Sequence, residues 1–222
     1  MQMSRNARKS AGENEERRIG RPPGVVGDET RRRLLEGAKS VFAQSGYRDA
    51  SNRLIAAAAG LTTGAIYHYY ESKQALFLAV HSELQEQQMQ RLRPIAESSA
   101  TLREALSRIV VDMRQGRRED PHSTEFFSVV RFEARRNLEI SSALEDSDWL
   151  RLYESLVSLG IQTGEVQPEM ARSLKALLSL FLLGFTQHAA EASPSGQDAA
   201  VRGLLSLLDG ELMSPPRGNS KS

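Results

Sequence analysis

The chain has 222 residues, of which 40% are hydrophobic and 26% are charged, a composition typical of a globular protein. It has no cysteine, which excludes disulfides and thiolate metal sites, and no long apolar run, so we expect no membrane span. The N-terminus lacks the apolar segment of a secretory signal, and we therefore expect a cytoplasmic protein.

The charge is divided unevenly along the chain, although the net charge is only +1. Residues 1–75 carry 13 basic and 8 acidic residues, whereas the other residues carry 16 basic and 20 acidic ones. A basic front and a mildly acidic rear are typical of an anion-binding module joined to a domain with another task. Chance scatter of surface charge is the alternative interpretation.

Residues 1–27 form the first predicted segment, an arm rich in Arg, Glu, Gly and Pro that shows no apolar periodicity. We expect this arm to be disordered. It presents Arg21 just before two prolines, which stiffen the backbone. Arg21 therefore either enters a DNA minor groove or belongs to a tail that gives only non-specific attraction.

Residues 28–88 form the second predicted segment, a domain of helices. The first helix begins at Asp28 and stops at Gly46, because glycine tolerates the left-handed backbone of a helix end. Two short helices follow, and Ser51 and Thr62 are expected to cap them. A fourth helix runs towards Pro94, which should break or kink it.

Residues 51–73 are the most informative stretch and read SNRLIAAAAGLTTGAIYHYYESK. Two short helices separated by a turn at Gly60 are typical of a helix-turn-helix, whose second helix enters the DNA major groove. Small side chains allow the two helices to approach closely. We expect Thr63, Ala65 and His68 to face outward. A packed helical corner that does not touch DNA is the alternative interpretation of this stretch.

Residues 89–213 read as a third segment that is helical nearly throughout, and residues 214–222 read as a disordered tail. No strand and no internal repeat is evident. The fold class expected is therefore all-α, with an N-terminal three-helix DNA-binding domain followed by a helical bundle. The predicted rear helices begin at Thr101 and Pro121 and then span 142–163, 171–192 and about 197–212.

The front of the sequence resembles the TetR family of bacterial regulators over residues 30–84. Residues 160–166 resemble the family more weakly. The resemblance rests on these spaced matches: Arg32 to Phe42, Gly46-Tyr47, Ile55-Ala56, Ala59-Gly60-Leu61-Thr62, Gly64, Ile66-Tyr67, Ser72-Lys73 and Leu76.

The resemblance implies a DNA-binding transcription regulator, and it implies roles for single residues. Thr62 would cap the recognition helix and offer its hydroxyl and N–H to a phosphate. Arg53 would make a bidentate contact with a guanine. The other base-edge positions would be Thr63, Gly64, Ala65 and His68, and the phosphate contacts would be Asn52, Tyr67, Tyr69 and Lys73.

The sequence departs from the family pattern at two places. Asn52 stands where many members carry an apolar residue and Leu54 where many carry a polar one, so either the helix is rotated or Asn52 contacts a phosphate. The usual histidine is replaced by Tyr69, with His68 one place earlier. The assignment among residues 67–69 therefore stays open by one position.

The rear segment carries no metal or catalytic pattern, so we expect no cofactor, no metal and no enzymatic activity. Its penultimate helix is apolar around most of its circumference, which predicts that a second copy of the chain covers it. A helix buried within one chain is the alternative. The resemblance implies the same homodimer. The expected interface residues are Leu178, Phe181, Leu182, Phe185, Leu204 and Leu208.

Aromatic residues and methionines at helical spacing in the rear bundle favour a pocket for a small, largely apolar effector. The resemblance implies that this effector releases a repressor from a palindromic DNA operator. The alternatives are an activator, a broadly binding DNA-associated protein and, least favoured, a helical enzyme or binding protein. The expected pocket residues are Met113, Phe126, Phe127, Trp149, Tyr153 and Phe181.

Overall fold

The computed structural model describes residues 23–143, 148–191 and 193–210, and within these ranges every regular element is helical. Arg21 lies outside the described residues, as does the C-terminal tail. A short 3-10 helix spans Pro168–Met170. The α-helices are α1 Pro23–Asp49, α2 Asn52–Ala59, α3 Thr63–Tyr69, α4 Lys73–Ser98, α5 Leu102–Glu119, α6 Pro121–Ala134, α7 Leu138–Ala143, α8 Asp148–Gln162, α9 Ala171–Glu191 and α10 Pro194–Leu208.

Most predicted helix ends are confirmed, and the chemistry at each end explains why. Gly46 has φ 74° and interrupts the last turn of α1, and Gly60 has φ 63° and ends α2. The hydroxyl of Thr101 accepts a hydrogen bond from the backbone N–H of Glu104 at 3.1 Å and so caps α5. Asp120 accepts the N–H of Ser123 at 3.2 Å and caps α6.

Four predicted boundaries are wrong. Helix α1 begins at Pro23 rather than residue 28, and α10 begins at Pro194 rather than residue 197, because proline is preorganised for a first helical position. Helix α4 continues through Pro94 to Ser98, so the predicted break at Pro94 is absent. The single helix expected over 142–163 is instead the end of α7 and then α8, with residues 144–147 outside the described residues.

Two hydrophobic cores organise the helices. The first lies in the head, which we define as α1–α3 with the first half of α4, and the second lies in the rear domain, which we define as the remaining helices. Helix α4 serves both, since Phe77 is buried in the head and Met89 is buried in the rear domain. Helix α6 crosses the boundary as well, because its Phe126 is buried in the core of the head. No helix in the described ranges is both long and apolar enough to cross a membrane.

Candidate nucleic-acid interface

Helices α2 and α3 are each preceded by a residue whose side-chain hydroxyl caps the N-terminal end of the helix. The hydroxyl of Ser51 accepts the N–H of Leu54 at 3.2 Å, and that of Thr62 accepts the N–H of Ala65 at 3.3 Å. A capping hydroxyl that accepts from the helix still has its own hydrogen to donate. Thr62 is therefore able to cap α3 and to donate to a DNA phosphate at the same time.

Helix α2 lies unusually close to α1. A Cβ atom placed on Gly37 would stand 2.7 Å from the backbone nitrogen of Ala59, so only glycine fits there. Arg33 closes the same contact, because its Nη2 donates to the carbonyl oxygens of Ala59 and Gly60 at 2.8 Å each. Arg33 thus satisfies the free carbonyls at the end of α2. The sequence analysis did not single out Arg33, because its partners lie 26 and 27 residues further along the chain.

Helix α3 buries one side and presents the other to solvent. Ile66 is fully buried against the head core, whereas Thr63, Gly64 and His68 are exposed and Tyr67 is 62% exposed. Ala65 is half-buried. The exposed face holds hydroxyl, imidazole and backbone groups that can donate to base edges or phosphates.

Helix α2 adds a cation beside this face. Arg53 is exposed and makes no hydrogen bond or ion pair with any residue that the structure describes. Asn52 is half-buried, and its side-chain oxygen is buried without a hydrogen-bond partner among those residues. Since a phosphate only accepts hydrogen bonds, Asn52 could reach one only through its NH₂ group.

Lys73 has a different environment from the phosphate contact that the resemblance implies. Its Nζ donates to the carbonyl oxygens of Tyr47, Arg48 and Ala50 at 2.7, 3.2 and 2.9 Å. These bonds use all three donors of the ammonium group and cap the end of α1. Burial lowers the pKa of Lys73. The structure therefore gives Lys73 a structural role, because its three donors are already used within the head.

Tyr69 also turns away from the exposed face. Its hydroxyl donates to the carbonyl oxygen of Gly27 in α1 at 3.2 Å, and its ring packs edge-on to His68 at 5.1 Å between centroids. Two tyrosines are predicted to bind phosphate. In the described structure the hydroxyl of Tyr69 is already used in a hydrogen bond to Gly27, whereas that of Tyr67 makes no hydrogen bond.

The head matches a known family model. Residues 34–80 match the model of the bacterial regulatory proteins of the tetR family. This range covers the α2–α3 pair and its supports in α1 and α4. The head of the chain therefore belongs to the TetR family. That family consists of transcriptional regulators rather than enzymes.

Curated relatives extend the similarity beyond the head of the chain. The HTH-type transcriptional repressor AcnR of Corynebacterium glutamicum is 28% identical over 189 residues, which is 81% of this chain and 89% of that protein. The fatty acid metabolism regulator protein of Bacillus subtilis is 26% identical over 137 residues, covering 60% of this chain and 69% of the relative.

Solved structures share the fold. FadR from Bacillus subtilis, in complex with stearoyl-CoA, has a TM-score of 0.68 at 21% identity and covers 82% of this chain and 99% of its own. A putative regulator from Saccharomonospora viridis, in complex with choline, has a TM-score of 0.67 at 21% identity, covering 80% and 96%. At these identities the likeness shows the fold alone.

The rear domain of the regulator contains a cavity of about 210 Å³ between α4, α5, α6 and α9, which we call the α5–α6 cavity. Two of the six predicted effector residues, Met113 and Phe127, line it. The wall also holds charged and amide side chains, and it is more polar than a largely apolar effector requires.

The other four predicted effector residues do not line this cavity. Phe126 lies in the head core, where its ring stands 5.0 Å from that of Phe77, because α6 turns this side towards α1. Trp149 packs on the buried Tyr153 at 6.1 Å between centroids, and burial raises the pKa of Tyr153 to about 12. Phe181 lies beside Phe185 at 6.0 Å.

The predicted dimer residues fall on more than one side of α9 and α10. Leu178 is 3% exposed and Phe185 is also buried, so both pack inside the protomer. Phe181, Leu204 and Leu208 are half-buried, and the side chain of Leu182 lies outside the described part of the chain. Among the described side chains of α9 and α10, the large apolar ones left exposed are instead Leu177, Leu180 and Leu207.

Proposed function

We propose that this regulator is a repressor that binds a palindromic operator as a homodimer and leaves it when a small molecule occupies the rear domain. The observation that carries the proposal is the exposed face of α3. This helix is capped by Thr62 and anchored in the head core by Ile66, and Tyr67 makes no hydrogen bond with any residue that the structure describes. The names of the relatives support repression, since AcnR is a transcriptional repressor. A regulator of this kind would act beside the chromosome in the cytoplasm.

The residues proposed to contact DNA follow from the geometry of the head. We assign base-edge contacts to Arg53, Thr63, Gly64 and His68, with the half-buried Ala65 beside them. Phosphate contacts are assigned to Thr62, Tyr67 and the NH₂ group of Asn52.

The proposed dimer uses the surface that one protomer leaves uncovered. Leu177 and Leu180 are 61% and 69% exposed, and with Gly184 their spacing places them on one face of α9. A Cβ on Gly184, or on Gly203 of α10, would meet nothing within 4 Å in the protomer. An exposed apolar face of this kind is typical of a subunit interface, and small residues allow a partner helix to approach closely.

A matched pair of variants tests the dimer. Leu180→Glu should convert it to a monomer in sedimentation velocity, because a carboxylate would be buried at the interface. Leu138→Glu is the control, since Leu138 is 81% exposed but lies on α7. If Leu180→Glu stayed dimeric, the interface would be elsewhere.

The proposed switch links the cavity to the head through the start of α6. Asp120 lines the α5–α6 cavity and accepts a hydrogen bond from Lys39 of α1. Burial opposes the charged form of both groups. The pKa of Asp120 is nevertheless lowered, because it accepts hydrogen bonds from Lys39 and Ser123, and the pKa of Lys39 is raised, because it donates to Asp120 and Glu36. Because Phe126 and Asp120 both connect α6 to α1, a ligand that moves α6 would move the head.

The resemblance to ligand-bound proteins is a second support for the switch. FadR was captured with stearoyl-CoA and the Saccharomonospora viridis regulator with choline. The two ligands differ in chemistry, so they support a ligand-binding rear domain in this chain without indicating which molecule it binds.

Selection of duplexes from a random pool by the purified chain tests DNA recognition. We expect a palindrome whose half-sites are about one helical turn, or a multiple of it, apart. Footprinting on the DNA beside the encoding gene should then find the same sequence. Enrichment of no sequence would favour a broadly binding protein, and increased transcription from a bound promoter would favour an activator.

A further inference from the structure

The α5–α6 cavity has an apolar floor and a polar rim. Leu84, Met113 and Phe185 are buried beneath it and Phe127 is half-buried, whereas the polar residues at its edge include exposed ones. A ligand that fits this cavity therefore needs an apolar part and a polar end.

Most charged groups of the wall already have partners. Asp120 accepts from Lys39 and from Ser123, and Glu119 accepts from Gln115 at 2.7 Å. On the other side, Nε of Arg91 donates to Asp112 at 3.3 Å. Each of these groups therefore already has a hydrogen-bond partner in the described structure.

Arg117 is different. Its Nη1 atom is buried and has no hydrogen-bond partner within the described ranges, and Arg117 lines the cavity. A guanidinium cannot lose its proton in a protein, and a buried donor without a partner is costly. An oxygen atom supplied by a ligand would satisfy this donor.

We propose that the α5–α6 cavity binds a small amphipathic carboxylate, whose carboxylate is held by Arg117 and whose hydrocarbon part lies on Met113 and Phe127. This inference rests on the effector site of the proposed function and adds its chemical class. A planar carboxylate matches the donors of a guanidinium. A single negative charge fits best, because Glu119 and Asp120 in the same wall would repel a phosphate dianion.

The volume limits the size of the ligand. A cavity of about 150 Å³ accommodates benzene, so the α5–α6 cavity, at about 210 Å³, accommodates about eight non-hydrogen atoms. Hexanoate has this size and charge. Hexanamide has the same number of non-hydrogen atoms without the charge, and acetate has the charge without the chain.

Calorimetric titration of the full chain with these three probes tests the proposal directly. We expect hexanoate to bind about 10- to 100-fold more tightly than hexanamide, since one charge-assisted hydrogen bond separates them. Acetate should bind more weakly than hexanoate because it leaves the apolar floor uncovered. Equal binding of hexanoate and hexanamide, or no binding of either, would overturn the proposal.

Variants of Arg117 separate recognition of the carboxylate from a change in folding. Arg117→Met should remove the preference for hexanoate over hexanamide while hexanamide binding is retained, and Arg117→Lys should restore part of the preference. Arg108→Met is the matched control, because Arg108 is exposed on the same helix and lies outside the cavity wall. If Arg117→Met kept the full preference, Arg117 would not be the anchor.

The titrations contain no DNA, so their result is independent of the operator. Binding of hexanoate through Arg117 with no effect on operator affinity would support the carboxylate site and contradict release by an effector. Specific operator binding without any binding of hexanoate would support the DNA-binding function and contradict the carboxylate site.

Discussion

The head and the rear domain differ in the open space between their helices, which is about 80 Å³ in a pocket between α1 and α4 and about 210 Å³ in the α5–α6 cavity. In the head, α1 and α2 touch backbone to backbone at Gly37, and the rings of Phe42, Phe77 and Phe126 lie 5.0–6.1 Å apart. In the rear domain, helices line the open α5–α6 cavity of about 210 Å³, where Nη1 of Arg117 has no hydrogen-bond partner among the described residues. A surface that reads DNA must be preorganised, whereas a domain that binds a ligand must leave room for it.

Substitution of the glycines at the closest contacts should change the free energy of unfolding most, and it tests directly whether the head is packed more tightly than the rear domain. Gly37→Ala should lower the free energy of unfolding by about 3 kcal/mol, because the new Cβ would clash with the backbone of Ala59. Gly160→Ala in the rear domain should cost only about 1–2 kcal/mol, since its clashes at 2.8 Å are with the side chains of Leu102 and Val166. Urea denaturation measures both, and equal losses would contradict a more rigid head.

Protonation of His81, which lies on α4 where this helix passes from the head to the rear domain, should destabilise the folded chain at low pH. Burial lowers the pKa of His81 to about 4, and its ring packs edge-on to Phe127 at 5.9 Å. The unfolded chain binds a proton at His81 below about pH 6.5, whereas the folded chain does so only near pH 4. Stability should therefore fall by about 2–3 kcal/mol as the pH falls from 6.5 to 4.

His81→Phe is the variant that tests this origin of the acid effect. It should reduce the slope of stability against pH over that range, as measured by urea denaturation at several pH values. An unchanged slope would assign the effect to other groups.

Variants of two basic residues of the head should distinguish a structural role from a role in DNA recognition. Lys73→Met should lower the free energy of unfolding by about 1–2 kcal/mol without DNA, because it leaves the carbonyl oxygens at the end of α1 unsatisfied. Arg53→Met should leave unfolding unchanged and reduce discrimination between bases by about 1–3 kcal/mol. Thermal melting measures the stability of each variant, and competition binding measures its discrimination between bases. If the two variants behaved alike, the assignment of Lys73 to structure and Arg53 to DNA recognition would be contradicted.

The smallest effect is expected at the rim of the cavity. A Cβ at Gly116 would approach Nη2 of Arg91 to 3.1 Å, and this is the movable end of a long side chain. Gly116→Ala should therefore stay within about 0.5 kcal/mol of the wild type in urea denaturation. A loss as large as that of Gly37→Ala would mean that the rim is as tightly packed as the head.

The head was predictable from the sequence because its signals are local. Caps at Ser51 and Thr62 and left-handed glycines at Gly46 and Gly60 lie within a few residues of the helix ends that they define. Lys73 could not be assigned in the same way, because the carbonyl oxygens that it binds lie 23–26 residues earlier and meet it only after folding.

The rear domain was predictable as helical but not in its packing. Because α9 is apolar around most of its circumference, its periodicity does not distinguish the buried Leu178 from the exposed Leu177. Phe126 and Phe127 are adjacent in sequence, yet one completes the head core and the other lines the cavity. Such assignments depend on which helices meet, and hydrophobic patterning alone does not specify that.

The most direct test of the account compares the affinity of the purified chain for its selected palindrome and for a scrambled duplex of equal length, over a range of salt concentrations. Both affinities should fall as salt rises, and the palindrome should bind at least about 10³-fold more tightly throughout. Equal affinity for the two duplexes at every salt concentration would contradict a head built to read sequence.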